Sequence, residues 1–296
     1  MTSCINDIEF RCIADKCAHS CCKGWEIDID DETYELYRGI PGEVGEKIRA
    51  AIKSEEIAEE LAQDGLGGVV THHFVLTEDE RCPFLNENNL CDIILKLGED
   101  YLCDICREHP RFYKELDNGE YACGYGLCCE EAARLTLFPP EDKEDDCYNG
   151  ELADFAGTDC ESSNSEKVDF EKTAKLCKLL VVLESIEPYW IQNVRELVLV
   201  FEEGTDEEIE KSVSLRDEVL AEYGTAFGHL QDYMMFRYDS KEYAAYMCAV
   251  IALICGMIKG KKGDFAPEDL IEIVRVYSAD IEYSDENVEK ILAALK

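Results

Sequence analysis

The sequence predicts a mainly α-helical protein: an irregular, cysteine-rich, metal-binding N-terminal region with a short β element, followed by a helical bundle. Twelve of the 17 cysteines precede residue 130, whereas apolar residues recur at helical spacing from Glu166 onward. Residues 139–165 combine proline, glycine, serine and acidic residues with little apolar periodicity. We therefore expect a cysteine-rich metal-binding or cluster-binding domain at 1–138, an acidic linker or loop at 139–165 and an α-helical domain at 166–296.

Short elements are expected between the cysteine-bearing loops of the N-terminal region. A helix is predicted over about 31–40, because an aspartate can cap its start and the Pro-Gly pair after it ends it. A longer amphipathic helix is predicted over about 43–63. The segment GGVVTHHFVL at 67–76 predicts a strand, since it is rich in β-branched and aromatic residues. Cys91 should open a short helix that ends at the following glycine.

The C-terminal region predicts a bundle, because apolar and charged residues alternate at helical spacing and glycine or proline stands between the helical segments. The predicted helices lie at 168–185, 188–204, 206–224, 241–260, 267–282 and 285–296.

The compartment decides how the thiols are interpreted. The N-terminus has no basic region followed by an apolar stretch, and no segment is expected to reach the ~20 apolar residues that span a bilayer. We therefore expect a cytoplasmic protein with no membrane contact. A reducing cytoplasm disfavours disulfides, and an odd number of cysteines cannot all pair within one chain. Metal or cluster ligation is favoured over a disulfide framework, while Cys177, Cys248 and Cys255 are interpreted as small buried hydrophobic residues.

Net charge excludes some classes of partner. The chain has 66 acidic and 29 basic residues, for a net charge of −37. Such a field repels nucleic-acid phosphates and anionic lipids, so we expect no nucleic-acid partner. Cationic protein surfaces would be attracted, although a merely well-solvated surface explains the same composition.

The spacing of the N-terminal thiols predicts a metal site. Four of them fall within FRCIADKCAHSCC and more follow in RCPFL, LCDI and YLCDIC. Loop thiolates at short spacing can converge on one zinc ion or one iron–sulfur cluster, and spacing alone does not choose between iron and zinc. The number of thiols leaves open one site or two. The candidate ligands are Cys12, Cys17, Cys21, Cys22, Cys82, Cys91, Cys103, Cys106 and Cys129.

Four ordered motifs resemble those of the flagellin lysine-N-methylase (FliB-type) family, which is itself related to cysteine-rich zinc- or iron-chelating proteins. They are FRCIADKCAHSCCKGWEIDID, LTEDERCPFLNENNLCDI, LGEDYLCDICREHPR and CEEAARL, and they cover about residues 8–138. The resemblance implies transfer of a methyl group from S-adenosylmethionine to lysine amines of flagellin or another lysine-bearing protein. It also implies a thiolate-bound iron–sulfur cluster, expected to be of the 4Fe-4S type with zinc as the alternative, held by the nine cysteines above. The family motif has proline where Glu130 stands, which makes Cys129 the least secure ligand.

Four further residues are candidates for holding the cofactor. Arg107 and Arg111 in CREHPR can hydrogen-bond to a carboxylate or to cluster sulfides, although an ion pair with an acidic loop explains them equally well. Tyr233 and Arg237, in a segment that resembles the family more weakly, can reach the pocket from the helical region or simply pack between helices. No G-x-G-x-x-G follows a predicted strand, and C-x3-C-x2-C is absent, so neither a doubly wound methyltransferase nor a conventional radical site is predicted.

Two rival functions remain from sequence. One is a non-enzymatic protein that stores, senses or delivers zinc or iron; the other is a helical interaction module stapled by zinc. The catalytic base of a methylase cannot be identified from sequence.

Overall fold

The computed structural model describes residues 3–4, 10–56, 70–116, 118–140 and 169–296. The chain divides into two compact units: the cysteine-rich unit, residues 12–109, and the helical unit, residues 1–11 together with 110–296. The mainly helical class is confirmed. Residues 110–138, which we assigned to the cysteine-rich domain, fall within the helical unit. Most of the predicted linker lies outside the described residues.

The cysteine-rich unit contains a three-stranded antiparallel sheet in the order β2-β4-β3 and four short helices. The strands are β2 Ile27–Ile29, β3 Ile52–Glu56 and β4 Val70–Phe74. The helices are α1 Asp31–Gly39, α2 Gly42–Ala50, α3 Asp92–Leu97 and α4 Asp104–Glu108. Short 3-10 turns lie at Ala14–Lys16 and Glu99–Tyr101.

Local signals place α1 and α3 where the sequence predicted them. Asp30 caps α1 by accepting a 2.8 Å hydrogen bond from the Thr33 backbone N–H. Cys91 stands at the N-terminus of α3 and Gly98, at φ 104°, ends it. The strand predicted at 67–76 is confirmed as β4, with its first residues outside the described part of the chain.

The helix predicted over 43–63 is confirmed only as far as Ala50, and its continuation is wrong. α2 ends at Ala50 and the chain continues as β3, which pairs antiparallel with β4 from Ile52↔Phe74 to Glu56↔Val70. The residues of β3 have helix-compatible side chains, but β4 needs hydrogen-bonding partners for its backbone and β3 supplies one edge of it. Residues 57–63 lie outside the described part of the chain.

A small core holds this unit together. Ile27, Tyr37, Ile48 and Phe74 are 0–2% exposed, and Cys82 and Cys103 are buried among them at 6% and 1%. The Tyr37 hydroxyl donates a 2.7 Å hydrogen bond to the Tyr101 carbonyl. The thiols are therefore part of the hydrophobic core of this unit.

The helical unit begins with a second small sheet. β5 Arg111–Glu115 and β6 Tyr121–Tyr125 form a hairpin, and β1 Ser3–Cys4 pairs parallel with β6. None of these three strands was predicted. The helices are α5 Glu130–Leu137, α6 Phe170–Val182, α7 Pro188–Glu203, α8 Asp206–Tyr238, α9 Lys241–Lys262, α10 Pro267–Tyr277 and α11 Asp285–Leu295. A π-helix, Ser278–Glu282, follows α10 directly.

The core of the helical unit is larger and more apolar than that of the cysteine-rich unit. Trp190 is 0% exposed and stacks at a tilt against Tyr277, with ring centroids 5.6 Å apart. α8 is kinked at Tyr223 and packs along α9. Cys177 and Cys255 are fully buried, and burial raises the pKa of Cys177 to about 12. This agrees with their interpretation as small hydrophobic residues.

The sequence reading that no segment is long and apolar enough to span a bilayer needs correction. Within the described residues, α9 meets those criteria by length and composition. Two thirds of its most apolar window, 67%, is buried inside the helical unit, a pattern typical of the central helix of a packed core.

Candidate functional site

Backbone hydrogen bonds bring three cysteine-bearing segments of the cysteine-rich unit together. The Cys82 N–H donates to the Cys22 carbonyl at 2.8 Å, beside an isolated antiparallel bridge between Lys23 and Arg81. A second bridge joins Leu85 to Cys91, so the 82–91 loop folds back on itself. These contacts hold thiols that are about 60 residues apart in sequence within one core.

Helix α4 supplies two further thiols. Cys103 is its N-terminal flanking residue and Cys106 lies one turn on, with its N–H donating to the Cys103 carbonyl at 3.0 Å. Asp30 fixes the start of α4, because its second carboxylate oxygen accepts a 2.9 Å hydrogen bond from the Asp104 N–H. The same carboxylate therefore anchors both α1 and α4.

Five of the predicted ligands lie in or against the same small core. Burial, with smaller contributions from charge on Cys22, Cys91 and Cys103, raises the pKa of Cys82 to about 12. The pKa of Cys106 is raised by its hydrogen bond to Cys103, by burial and by charge on Cys22 and Cys82. We call these five residues the thiol cluster: Cys22, Cys82, Cys91, Cys103 and Cys106.

Two members of the thiol cluster are biased toward the thiolate. A hydrogen bond from Cys21 lowers the pKa of Cys22 to about 7; burial opposes this shift, while the Arg81 charge assists it. The hydrogen bond from Cys106 likewise lowers the pKa of Cys103. Thiolates are the metal-binding form of cysteine, so the cluster contains groups ready to ligate a metal.

The donor set fits a thiolate-bound metal by its chemistry. Soft thiolate sulfurs suit zinc or an iron–sulfur cluster and do not suit magnesium or calcium. However, no group of three or more His, Cys, Asp or Glu side chains among the described residues stands in metal-ligating geometry. The thiol cluster is a set of neighbouring donors, and the nine-cysteine ligand set stays a prediction.

The remaining predicted ligands have other surroundings. Cys12 Sγ accepts a 3.4 Å hydrogen bond from the Ala14 N–H, and Cys17 Sγ donates to the His19 carbonyl at 3.1 Å. Cys21 is exposed, and its carbonyl accepts the indole N–H of Trp25. Cys129 lies in the helical unit, where it stands at the N-terminus of α5.

One half-buried histidine in the cysteine-rich unit has a ring nitrogen without a hydrogen-bond partner among the described residues. His109 Nε2 is buried without a partner among the described residues, and burial lowers the pKa of this side chain to about 4. The ring lies 6.0 Å from that of Trp25. His109 is thus neutral at physiological pH.

An open cleft of about 430 Å³ lies against the thiol cluster on the Cys82 side. Sequence reasoning did not anticipate it. Its lining residues are Thr77, Asp79, Arg81, Cys82, Pro83, Leu85 and Glu87.

The four predicted cofactor residues are divided between the two units. Arg107, in the cysteine-rich unit, donates a 2.8 Å hydrogen bond to Asp104 of its own helix. Arg111 opens β5 and lies 5.7 Å from the centroid of the Tyr125 ring. Tyr233 and Arg237 meet directly on α8, where Arg237 Nη1 donates to the Tyr233 hydroxyl at 2.9 Å.

Sequence reasoning missed the group that organises Tyr233 and Arg237. Glu282, the last residue of the π-helix, is 5% exposed and accepts hydrogen bonds from Tyr233 and Tyr238, both at 2.9 Å. Burial and the Glu282 charge hold the pKa of Tyr233 well above its usual value, so the phenol stays a donor. Burial acts to lower the pKa of Arg237, but Tyr233, Glu282 and Tyr238 raise it overall.

Comparison with known proteins supports the resemblance found in the motifs. The chain is 28% identical over 138 residues to the flagellar biosynthetic protein FliU of Salmonella muenchen, covering 45% of this chain and 73% of that protein. It is 26% identical to two proteins named lysine-N-methylase, over 132 residues in Salmonella typhimurium and 147 in Salmonella choleraesuis. The resemblance to the flagellin lysine-N-methylase family is confirmed.

These matches cover only part of each chain. Each covers 45% of this chain, and the chain spans only 31% of the length of the two lysine-N-methylases. No family model matches the chain, and no solved structure matches it either.

Proposed function

We propose that this chain is an S-adenosylmethionine-dependent protein-lysine N-methyltransferase that acts on flagellin or a similar lysine-bearing protein. The thiol cluster of the cysteine-rich unit would hold an iron–sulfur cluster. The observation that carries the proposal is the similarity to proteins named lysine-N-methylase. The gathering of five predicted ligands around one small core supports its metal part.

The reaction has a simple balance. A lysine ammonium loses one proton to a base, its free lone pair attacks the methyl carbon, and the electrons of the breaking C–S bond stay on sulfur. The products are a methylated amine, S-adenosylhomocysteine and one proton. When bound, an iron–sulfur cluster would supply thiolate-held iron that can act as a Lewis acid or carry an electron.

The chain's own residues prepare the metal site. Cys22 and Cys103, whose pKa values are lowered, enter ligation most readily as thiolates. Cys82, Cys91 and Cys106 must lose protons on binding, which makes metal affinity fall as pH falls. Ile27 and Phe74 are buried in the same core as Cys82 and Cys103, so these two thiols have little contact with water.

The direct test is a methylation assay with protein purified without oxygen. Incubation with S-adenosylmethionine and a cognate flagellin should add the mass of one CH₂ per methyl group to lysine-containing peptides, as read by mass spectrometry. Metal content and acid-labile sulfide are measured on the same sample. Protein that retains its metal but neither methylates flagellin nor binds S-adenosylmethionine would contradict the proposed activity.

The metal assignment is tested separately with matched variants. Cys106→Ser should abolish metal retention, because Cys106 is a member of the thiol cluster, whereas Cys177→Ser should leave it unchanged, because Cys177 lies in the apolar core of the helical unit. Colourless protein that carries stoichiometric zinc would replace the iron–sulfur assignment by a zinc site. Equal metal loss in the two variants would mean that the division of the cysteines into metal ligands and core residues is wrong.

A non-enzymatic metal-binding protein is the second candidate, and one observation favours it. The chain spans 31% of the length of the named lysine-N-methylases, so the metal-binding part can be shared without the catalytic part. This candidate predicts retained metal without saturable S-adenosylmethionine binding, which the assay above measures.

A further inference from the structure

A carboxylate is buried in the helical unit inside a set of hydroxyl groups. Glu282 accepts from Tyr233 and Ser278 at one oxygen, at 2.9 and 2.5 Å, and from Tyr238 and Tyr277 at the other, at 2.9 and 3.4 Å. Four donors around two oxygens suit an ionised carboxylate, which only accepts hydrogen bonds. We call this arrangement the Glu282 cage.

The cage extends to Arg237 through a single hydroxyl. Tyr233 donates to Glu282 and at the same time accepts the 2.9 Å hydrogen bond from Arg237 Nη1. Tyr233 and Arg237 are four residues apart on α8, so they lie on the same helix face. Because each bond polarises the next, the buried negative charge holds one edge of the guanidinium in place.

The other edge of that guanidinium is left available. Arg237 lies 4.2 Å over the Phe112 ring and 5.7 Å from the Tyr238 ring, so its plane is fixed by stacking. Its Nε and Nη2 atoms donate to no acceptor among the described residues.

A fixed guanidinium with unused parallel donors matches a planar carboxylate, which binds by two hydrogen bonds. A phosphate dianion fits less well, because the Glu282 charge lies behind the same group and the chain carries −37 overall. The ligand chemistry is therefore a monoanionic carboxylate next to aromatic walls.

We propose that Arg237 binds the α-carboxylate of S-adenosylmethionine and that Glu282, acting through the Tyr233 hydroxyl, is the positioning residue that orients Arg237 for it. This inference rests on the proposed function, because that function supplies the ligand. It assigns to Glu282 and Tyr233 a role in cofactor recognition rather than only in packing.

The test compares two ligands that differ at the proposed contact. S-Adenosylhomocysteine carries the amino-acid carboxylate, whereas 5′-methylthioadenosine lacks it and keeps the nucleoside and the sulfur. Dissociation constants are measured by calorimetry on full-length, metal-loaded protein kept without oxygen. Wild-type protein should prefer S-adenosylhomocysteine, and Arg237→Gln should reduce that preference by about 10-fold to 100-fold, as expected for a charge-assisted bidentate contact.

Variants of the cage separate positioning from folding. Tyr233→Phe removes the link between Glu282 and Arg237, and Glu282→Gln removes the charge but keeps the shape; both should weaken S-adenosylhomocysteine and leave 5′-methylthioadenosine unchanged. Tyr223→Phe is the matched control on the same helix, because it loses a 3.0 Å bond to the Phe265 carbonyl and touches neither Arg237 nor the Glu282 cage. Arg237→Lys should restore only part of the preference, since a lysine ammonium cannot donate two parallel hydrogen bonds to one carboxylate.

Each outcome of these measurements either supports or overturns the inference. A preference lost in Arg237→Gln and Tyr233→Phe but retained in Tyr223→Phe supports the inference. Saturable S-adenosylhomocysteine binding whose preference is unchanged in Arg237→Gln overturns it and leaves the proposed function standing. Metal-loaded wild-type protein that binds neither ligand overturns both.

Discussion

Asp30 joins two helices of the cysteine-rich unit through one carboxylate. One oxygen caps α1 at the Thr33 N–H and the other accepts from the Asp104 N–H at the start of α4. Asp30→Ala should lower the free energy of unfolding by about 1–2 kcal/mol, as expected for a lost cap, and should weaken metal retention by loosening α4. Asp31→Ala, at an exposed neighbour, should cost less than about 0.5 kcal/mol at physiological salt. If urea unfolding shows the same loss of unfolding free energy for Asp30→Ala and Asp31→Ala, Asp30 does not anchor both helices.

The same residue predicts a pH dependence. Burial acts to raise the pKa of Asp30, but the hydrogen bonds from Asp104 and Thr33 outweigh it and lower the pKa below its ordinary value. The stabilisation is therefore complete above the unfolded-state pKa of ~3.9 and is lost as pH falls through the lower folded-state pKa. The difference in unfolding free energy between wild type and Asp30→Ala should shrink below about pH 4. A constant difference between pH 7 and this acid range would show that the charge of Asp30 is not involved.

At the scale of single residues, the sequence predicts features that depend only on neighbours within a few positions. Asp30 as a cap and Cys91 and Gly98 as helix limits follow from residues within a few positions. Glu282 was missed because its partners Tyr233 and Tyr238 are more than 40 residues away. Its hydrogen bond to Ser278, four residues back, forms within a π turn, which a 3.6-residue periodicity does not reveal.

At the scale of elements, α8 and α9 approach closely at two glycines. A Cβ at Gly256 would lie 2.7 Å from the Arg216 backbone nitrogen, whereas one at Gly260 would meet only the flexible end of Leu215, at 2.8 Å. Gly256→Ala should therefore destabilise by about 1–3 kcal/mol through overpacking against a backbone that cannot rotate away. Gly260→Ala should be near neutral, because the gain in helix propensity of up to about 1 kcal/mol offsets a small shift of Leu215. Chemical denaturation of the two variants measures the difference, and an equally mild Gly256→Ala would mean that the helices can separate at little cost.

Helices with one apolar face packed on a core were predictable from sequence. Strands were less predictable, because the strand that each pairs with can be distant in sequence. The C-terminal helices carry a clear apolar periodicity, and their described portions confirm it. The end predicted at Gly224 is wrong, because α8 continues past a kink at Tyr223 to Tyr238. β3 and the β5–β6 hairpin carry no such signal: β3 follows a helix directly, and its pairing depends on Phe74 and its neighbours, about 20 residues further on. The convergence of the thiols was predicted, but which five would share a core depends on these same distant pairings.

For the whole molecule, the two units have cores of different kinds. The small core at 12–109 contains the thiol cluster, whereas the helical core consists mainly of apolar side chains and buried tyrosines, with Cys177 and Cys255 as isolated thiols. Removing metal from the proposed holoprotein should expose uncompensated thiols and raise amide hydrogen exchange within 12–109, while the core of α9 and α10 stays protected. Exchange followed by mass spectrometry, before and after chelation without oxygen, measures this. Loss of protection throughout 169–296 would show that the helical unit also depends on metal.

The placement of the two tryptophans gives each unit its own optical reporter. Trp25 lies in the cysteine-rich unit, in the loop that carries Cys21 and Cys22, and Trp190 is sealed in the helical core. An iron–sulfur chromophore near Trp25 would quench its fluorescence by energy transfer, whereas the dry surroundings of Trp190 shift its emission to short wavelengths. In Trp25→Phe protein the remaining emission follows helical unfolding, and in Trp190→Phe protein it follows loading of the thiol cluster. The chain thus carries two spectrally separable probes. Tryptophan fluorescence can distinguish loss of metal from loss of fold without any attached label.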